Sequence, residues 1–259
     1  TLACAMELHE QGRWKHGDLG DGPSLAFGDA DLLEELVSAT AFRRGIGSQL
    51  AEGALRVAQS QGHPESAMTV KGLEMPAYDP RASYTQALGY MTSPTGACHL
   101  RGGYAVSLAF FGGTREIPRF SLLQSPIAIR NMQNLGIIQD SLGICRFTGF
   151  AFSTEPWARM VSGLTGEDFS TARLEEIAER VATLERLFNL RAGFTAEDDT
   201  LPQRFLSESI SVEGQQRHIP EAALKKMRSD YYSVRGWAED TGFPATKTLE
   251  ALRLEEDAP

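Results

Sequence analysis

Apolar residues recur every three or four positions along most of the chain, which is the spacing that puts them on one face of an α-helix. The clearest case is 170–190, where the positions predicted to face inward are Leu174, Ile177, Val181, Leu184 and Leu187. Glu175, Glu176, Glu179 and Arg180 are predicted to face solvent. The same periodicity predicts helices over 2–12, 29–37, 50–62, 125–142, 157–164, 220–236 and 246–252. No convincing pair of strands is visible, so we predict an all-α fold.

One long segment, residues 70–113, shows no sustained period and is crowded with Gly, Pro, Tyr, Ser and Thr. Irregular segments of this length are uncommon in compact domains unless they are functional or disordered. Its leucines and tyrosines give it apolar surface to bury, so we expect it to be ordered and functional. The change of pattern also predicts a domain boundary near residues 68–70.

Composition and charge exclude several classes of protein. Asp and Glu number 34 against 25 Lys and Arg, for a net charge of -9, which argues against a nucleic-acid partner. The most apolar stretch, 104–111, is far shorter than the roughly 18 residues of a membrane span, and 1–14 lack the basic start of a signal peptide. The three cysteines, Cys4, Cys98 and Cys145, are far apart and form no C-x-x-C pair. We therefore expect a reducing, cytoplasmic location and no complete four-cysteine metal site.

Two segments carry candidate chemistry. In 140–145 a predicted helix ends at Gly143, so that Cys145 lies just beyond the helix and Asp140 in its last turn. An ordinary helix cap with an inert, buried cysteine remains an alternative. In 93–103, His99 and Arg101 stand among glycines, where backbone can approach a bulky ligand and a histidine can move protons near neutral pH. A structural histidine and a solvated arginine remain the alternative here.

Several segments, taken in order, resemble the aldehyde:ferredoxin oxidoreductases. They are VKGLEMPAYDPR (70–81), LGY (88–90), GACHLRG (96–102), LERLFNLR (184–191), DDTLPQRF (198–205) and RGW (235–237). The resemblance runs along nearly the whole chain. It implies irregular multi-helix C-terminal domains with long ordered loops, residues 1–68 being the end of the middle helical domain and 69–259 the C-terminal helical domain.

The resemblance also implies cofactors and a reaction. Members of this family hold tungsten, or molybdenum in some relatives, between two pyranopterins, and they carry one [4Fe–4S] cluster. They oxidise a small aldehyde and water to a carboxylic acid and pass the electrons to ferredoxin. A homodimer is a further expectation.

Residue by residue, 140–145 matches the second D-x-x-G-L-[C/D] motif of the family, with Ile144 in place of Leu. The resemblance implies that Cys145 is one cluster ligand and that Asp140 hydrogen-bonds a pterin. It implies that His99 lies near the metal as the catalytic residue and that Arg101 binds the cofactor. The other positions expected to bind cofactor are Thr95, which stands where relatives often have Arg, Ile144 and Arg146.

The chain starts at Thr1, within a predicted helix, so we expect either that residues were removed or that it is a piece of a longer protein. In the family, the other three cluster cysteines (C-x2-C-x3-C), the first pterin motif and a β-rich domain precede this point. We therefore expect the missing N-terminal region of the same enzyme as a partner, and an inactive chain without it. Two alternatives stay open: a cofactor-free helical interaction module, and a sister tungsten-pterin enzyme acting on formaldehyde, glyceraldehyde 3-phosphate or an aryl-CoA.

Overall fold

The fold is mainly helical, as predicted; the computed structural model describes residues 1–14, 25–105 and 119–257. The helices within these ranges are α1 (Leu2–Glu10), α2 (Ala30–Ala41), α3 (Gly47–Leu50), α4 (Ala54–Ser60), α5 (Tyr84–Thr92), α6 (Ser125–Ser141), α7 (Thr154–Thr165), α8 (Thr171–Arg191), α9 (Arg204–Ser207), α10 (Glu221–Arg235) and α11 (Thr246–Leu252). Two antiparallel strand pairs accompany them: β1 (Thr69–Val70) with β2 (Leu73–Glu74), and β3 (Ile210–Val212) with β4 (Gln215–Arg217). Among the described residues, no helix is both long and apolar enough to cross a membrane.

The strand pairs are a correction to the prediction that the chain has none. Each strand is only two or three residues long, too short to show an alternating pattern. The turn of the first hairpin has positive φ at both central residues, 50° at Lys71 and 81° at Gly72. That geometry matches the twist of a tight hairpin. The sequence feature that could have indicated this hairpin is therefore its turn at Lys71 and Gly72, because the strands are too short to be recognised.

Helix α5 is the second difference, since it lies inside the segment that showed no period. Ser83 caps it by accepting from the backbone N–H of Gln86. All residues from Thr85 to Met91 are buried, so the helix has no polar face to reveal it. The expectation of an ordered segment is confirmed for residues 70–105, and its remainder lies outside the described residues. The predicted helix 50–62 is shorter in the structure: Leu50 is the last residue of α3, and α4 begins only after Gly53, where φ is 91°.

Helix α6 has a central position because it packs against α5, α8 and α10. The largest apolar cluster joins α5 to α10 and includes the fully buried rings of Tyr90 and Tyr232. A second cluster joins α6 to α7 and α8. Two further clusters lie among α1–α4 and the residues that follow them. This packing fixes the end of α6, where the candidate site lies.

The inward face of α8 differs from the predicted one. Ile177, predicted to face inward, is 37% exposed, whereas Ala178 and Ala182 are buried. Glu179, predicted to face solvent, pairs with Arg235 of α10 at 2.7 Å. The small alanines let α6 approach, and the ion pair then favours turning Glu179 inward. Leucine spacing alone cannot show such a pairing between distant helices.

Candidate functional site

The site begins where α6 ends. The turn after Ser141 leaves the helix through Gly143 with φ +67°, the left-handed conformation that glycine adopts without strain. This exit was predicted. It leaves Cys145 as an exposed free thiol and directs Arg146 back towards the helix end.

Asp140 lies between two arginines. Arg101 Nη1 donates to Asp140 Oδ2 at 2.8 Å, and Arg146 donates to both carboxylate oxygens, at 3.0 Å from Nε and 2.5 Å from Nη2. Arg101 also pairs with Glu185 of α8. Burial alone would raise the pKa of the Asp140 carboxyl, but hydrogen bonds from Arg146 and Arg101 outweigh burial and lower that pKa. The carboxylate is therefore ionised at neutral pH and remains 40% exposed.

Close packing at two glycine positions brings these side chains together. A Cβ on Gly102 would lie 2.3 Å from the carbonyl oxygen of Gly89, so the loop carrying Arg101 contacts α5 backbone to backbone. A Cβ on Gly136 would lie 1.6 Å from Nη1 of Arg146, so that guanidinium lies directly against α6. Larger residues would separate the loop, the helix and the arginine.

His99 lies in the same loop and is half-buried. Its ring centroid is 5.3 Å from that of Tyr78 and 5.2 Å from that of Tyr104. Burial lowers the pKa of the imidazole, so His99 is neutral at pH 7. Leu100, the next residue, offers its carbonyl to Arg146 Nη1 at 3.3 Å. The loop thus carries both a neutral histidine and an arginine bound to Asp140.

The remaining predicted positions have different surroundings. Thr95 is exposed and lines a groove beside Phe188 of α8. Ile144 packs its side chain against the cluster between α6 and α8, and its backbone N–H donates to the carbonyl of Gln139 at 2.8 Å. Within the described ranges, no three His, Cys, Asp or Glu side chains gather as a metal site. Cys145 is thus a single thiol at the surface.

A buried network that the sequence did not predict lies behind the arginines. Asp199 accepts from Lys71 Nζ at 2.6 Å and from Arg186 Nη1 at 2.9 Å, and it also bonds the Tyr232 hydroxyl. Lys71 reaches back to the carbonyl of Met91, at 2.6 Å, at the end of α5. Burial lowers the pKa of Lys71, partly offset by Asp199.

Both networks line one cavity between the loop, α6, α8 and α10. Its charged lining residues are Lys71, Arg101, Arg146, Glu185, Arg186, Asp199 and Arg235. For Arg186 the sequence offered only a weak signal: it follows Leu174, Ala178 and Ala182 at four-residue intervals along α8, but the inward face predicted from leucine spacing left it out. A charged residue on a buried helix face needs a partner, although the sequence does not say which one.

Comparison with known proteins gives concordant results. The family described as "Aldehyde ferredoxin oxidoreductase, domains 2 & 3" matches residues 1–254. The tungsten-containing aldehyde ferredoxin oxidoreductase of Pyrococcus furiosus is 41% identical over 258 residues, which are 99% of this chain and 42% of that protein. The enzyme of the same name from Thermococcus kodakarensis is 38% identical over 252 residues, 96% of this chain and 41% of that protein. The chain therefore spans about two-fifths of the length of these relatives.

A solved structure shares the fold. It is the active-site complex BamBC of benzoyl coenzyme A reductase with 1,5-dienoyl-CoA, with a TM-score of 0.69 and 22% identity over 99% of this chain and 43% of that one. The family match over residues 1–254 and the 41% identical relative confirm the family resemblance seen in the sequence. From these similarities, the chain belongs to the aldehyde ferredoxin oxidoreductase family, of which it represents domains 2 and 3.

Proposed function

We propose that the complete enzyme containing this chain oxidises small aldehydes to carboxylic acids, with ferredoxin as the electron acceptor. The observation that carries the proposal is the cluster of Asp140, Arg101 and Arg146 at the end of α6, in a chain of this family. We expect a cytoplasmic enzyme that acts on no nucleic acid. Its other partners would be the N-terminal region of the same enzyme and, in a homodimer, a second copy.

The residues at this site fit a pyranopterin. A partly exposed carboxylate such as that of Asp140 can accept from the neighbouring N–H groups of an aminopyrimidine edge. Arg101 and Arg146 offer planar sets of donors for the oxygen atoms of such a group. Thr95 would add a contact to the cofactor from the groove beside Phe188, and Ile144 would add one from its backbone. When bound, a tungsten-bis-pyranopterin, or its molybdenum counterpart, would supply the two-electron redox chemistry.

Cys145 would contribute one thiolate to a [4Fe–4S] cluster. Such clusters are normally held by four cysteines, so the other three would come from outside this chain. The exposed thiol lies five residues beyond Asp140. One short segment would then hold the pterin and the cluster next to each other, which suits electron transfer towards ferredoxin. We also propose a domain boundary near residue 68, with 1–68 as the end of the middle domain and 69–259 as the C-terminal domain.

His99 would be the catalytic proton acceptor. The attack of water on an aldehyde carbonyl releases a proton, and a neutral imidazole can take it. Burial keeps His99 in this neutral form. Proton transfer of this kind is worth roughly 10²–10⁴-fold in rate.

The test is the variant His99→Ala in the complete enzyme. Turnover of an aldehyde with ferredoxin should fall by roughly 10²–10⁴-fold while tungsten and iron contents stay unchanged. His63→Ala is the matched control, because His63 bonds Glu65 away from the site and its loss should leave turnover intact. Full turnover of His99→Ala would reject the role of His99. Absence of tungsten and molybdenum from the wild-type enzyme, or no oxidation of any aldehyde, would reject the proposed function.

A further inference from the structure

The imidazole of His99 is held in an uncommon way. Functional histidines are usually oriented by a hydrogen bond from one ring nitrogen to a carboxylate or a carbonyl. Among the residues that the structure describes, none hydrogen-bonds either ring nitrogen of His99. Its specific contacts are the two ring contacts, tilted by 58° against Tyr78 and edge-to-face at 63° against Tyr104.

The two tyrosines are also connected to each other. Their hydroxyl oxygens are 3.3 Å apart and their ring centroids 6.0 Å apart, so the three rings contact one another pairwise. The hydrogen bond with Tyr78 raises the pKa of Tyr104, and burial raises it further to a smaller extent, so this phenol stays neutral. The two phenol rings therefore form an aromatic pocket beside His99.

Tyr78 is itself anchored to the core. Its carbonyl accepts from the hydroxyl of Tyr90 at 3.1 Å, and Tyr90 is fully buried in α5. Its backbone N–H turns back to the carbonyl of Pro76 at 2.7 Å. The strap, residues 71–81, thus presents the Tyr78 ring from a fixed position. Holding this ring is a specific role for part of the irregular segment that the sequence predicts to be functional.

We propose that Tyr78 and Tyr104 form an aromatic clamp that positions the imidazole of His99 for proton transfer; this inference rests on the proposed function. A ring held by aromatic contacts alone, without a hydrogen bond to the protein, keeps both nitrogens available, one to accept a proton from water and the other to pass a proton on. A hydrogen bond from the protein would occupy one of them. Tyr78 and Tyr104 are positioning residues in this reaction, and the rings rather than the hydroxyls carry the effect.

The experiment compares ring-keeping and ring-removing variants of the complete enzyme. Tyr78→Phe and Tyr104→Phe should keep kcat near that of the wild type. Tyr78→Leu and Tyr104→Leu should lower kcat by up to about 10²-fold, because a small misplacement of a catalytic group costs that much, with KM for the aldehyde and tungsten content unchanged. Tyr84→Leu is the matched control, because Tyr84 contacts Phe120 and not His99.

A second readout does not depend on turnover. Diethyl pyrocarbonate acylates neutral imidazoles, and peptide mass spectrometry gives the rate at His99 itself. The Leu variants should speed this acylation, since they open the pocket, and the Phe variants should not. If one Leu variant fails to fold, the pair at the other tyrosine makes the same comparison, because both rings contact His99.

The clamp and the proposed function fail in different ways. Leu variants with wild-type kcat, together with a His99→Ala enzyme that has lost turnover, would overturn the clamp alone. Phe variants as slow as the Leu variants would also overturn it, since the hydroxyls would then be what matters. Undiminished turnover of His99→Ala would overturn the role of His99 itself, and the clamp with it.

Discussion

At the scale of single residues, the site is a row of alternating charges. Glu185 pairs with Arg101, Arg101 with Asp140, and Asp140 with Arg146. Each charge thus has a neighbour of opposite sign, which offsets the cost of partial burial. A ligand that donates hydrogen bonds to the Asp140 carboxylate competes with Arg101 and Arg146. It must therefore offer acceptor atoms of its own to these two guanidinium groups. A pterin, with donors on one edge and oxygen atoms elsewhere, meets that requirement.

The variant Cys145→Ser tests the proposed cluster ligand in the complete enzyme. We expect it to abolish or alter the paramagnetic signal of the reduced cluster and to slow electron delivery to ferredoxin, because a hydroxyl replaces a thiolate ligand poorly. Cys98→Ser is the control: the Cys98 sulfur accepts from the backbone N–H of Arg101 at 3.4 Å, and its loss should leave the cluster in place. An unaltered signal in Cys145→Ser would refute the assignment.

Glu179 gives a prediction about pH and stability. Burial alone would raise the pKa of its carboxyl, but the guanidinium of Arg235 and the other donors around it outweigh burial and lower that pKa. Because the folded value lies below the unfolded one of about 4.3, this stabilisation is complete above roughly pH 4.3 and is lost as pH falls through the lowered pKa. Glu179→Gln should cost about 3 kcal/mol at pH 7, since it leaves the fully buried Arg235 without its carboxylate.

Urea denaturation of the chain between pH 3 and pH 7 measures this contribution. Glu176→Gln, an exposed position one turn from the ion pair on the same helix, is the control and should behave as the wild type. The difference between Glu179→Gln and the wild type should shrink as the solution becomes acidic. A difference that is constant with pH would contradict the proposed linkage.

At the scale of elements, α6 combines packing and chemistry. Its middle contacts α5, α8 and α10, while its last turn and the residues beyond carry Asp140, Cys145 and Arg146. Gly136 lies one turn before Asp140, where an ordinary side chain would meet the Arg146 guanidinium. Gly136 therefore makes room for the Arg146 guanidinium beside Asp140, although glycine lowers the helix propensity of α6.

Gly136→Ala separates these two effects. Alanine should favour the helix by up to about 1 kcal/mol, but its Cβ must push Arg146 away from Asp140. The backbone has no reason to move, because the obstructing atoms are the end of a flexible side chain. We expect a folded enzyme with a reduced tungsten-pterin content by metal analysis.

Gly163→Ala in α7 is the matched control, because nothing lies within 4 Å of the added Cβ. It should gain up to about 1 kcal/mol of stability with normal tungsten content. Normal tungsten content in Gly136→Ala would show that the contact between Arg146 and Asp140 is not needed for cofactor binding.

At the scale of the whole molecule, this chain is about two-fifths of the length of its relatives. Expressed alone, it should be helical by circular dichroism, soluble, and free of tungsten by metal analysis, because the first pterin motif and three cluster cysteines are expected elsewhere. The complete enzyme, prepared in the same host with tungstate, is the control and should contain the metal. A chain that binds tungsten-pterin stoichiometrically by itself would contradict this prediction.

The sequence alone determined the helices with a polar face and their caps. Asp29, at the start of the predicted helix 29–37, caps α2 by accepting from the backbone N–H of Leu32, and Gly143 ends α6 with positive φ. Both are local effects, decided by neighbours within one helical turn. The order of motifs along the chain was likewise visible without a structure, which is why the family could be recognised from the residues.

Only the tertiary structure decided which charges meet. Lys71 and Asp199 are 128 positions apart in the chain, yet their side chains lie 2.6 Å from each other. Helix α5 was invisible because burial on all sides removes the polar stripe on which periodicity depends. The inward turn of Glu179 and the aromatic contacts of His99 depend on helices and loops that come together only in the folded chain. Sequence patterns record what is near along the chain, whereas buried ion pairs and ring contacts depend on what is near in space.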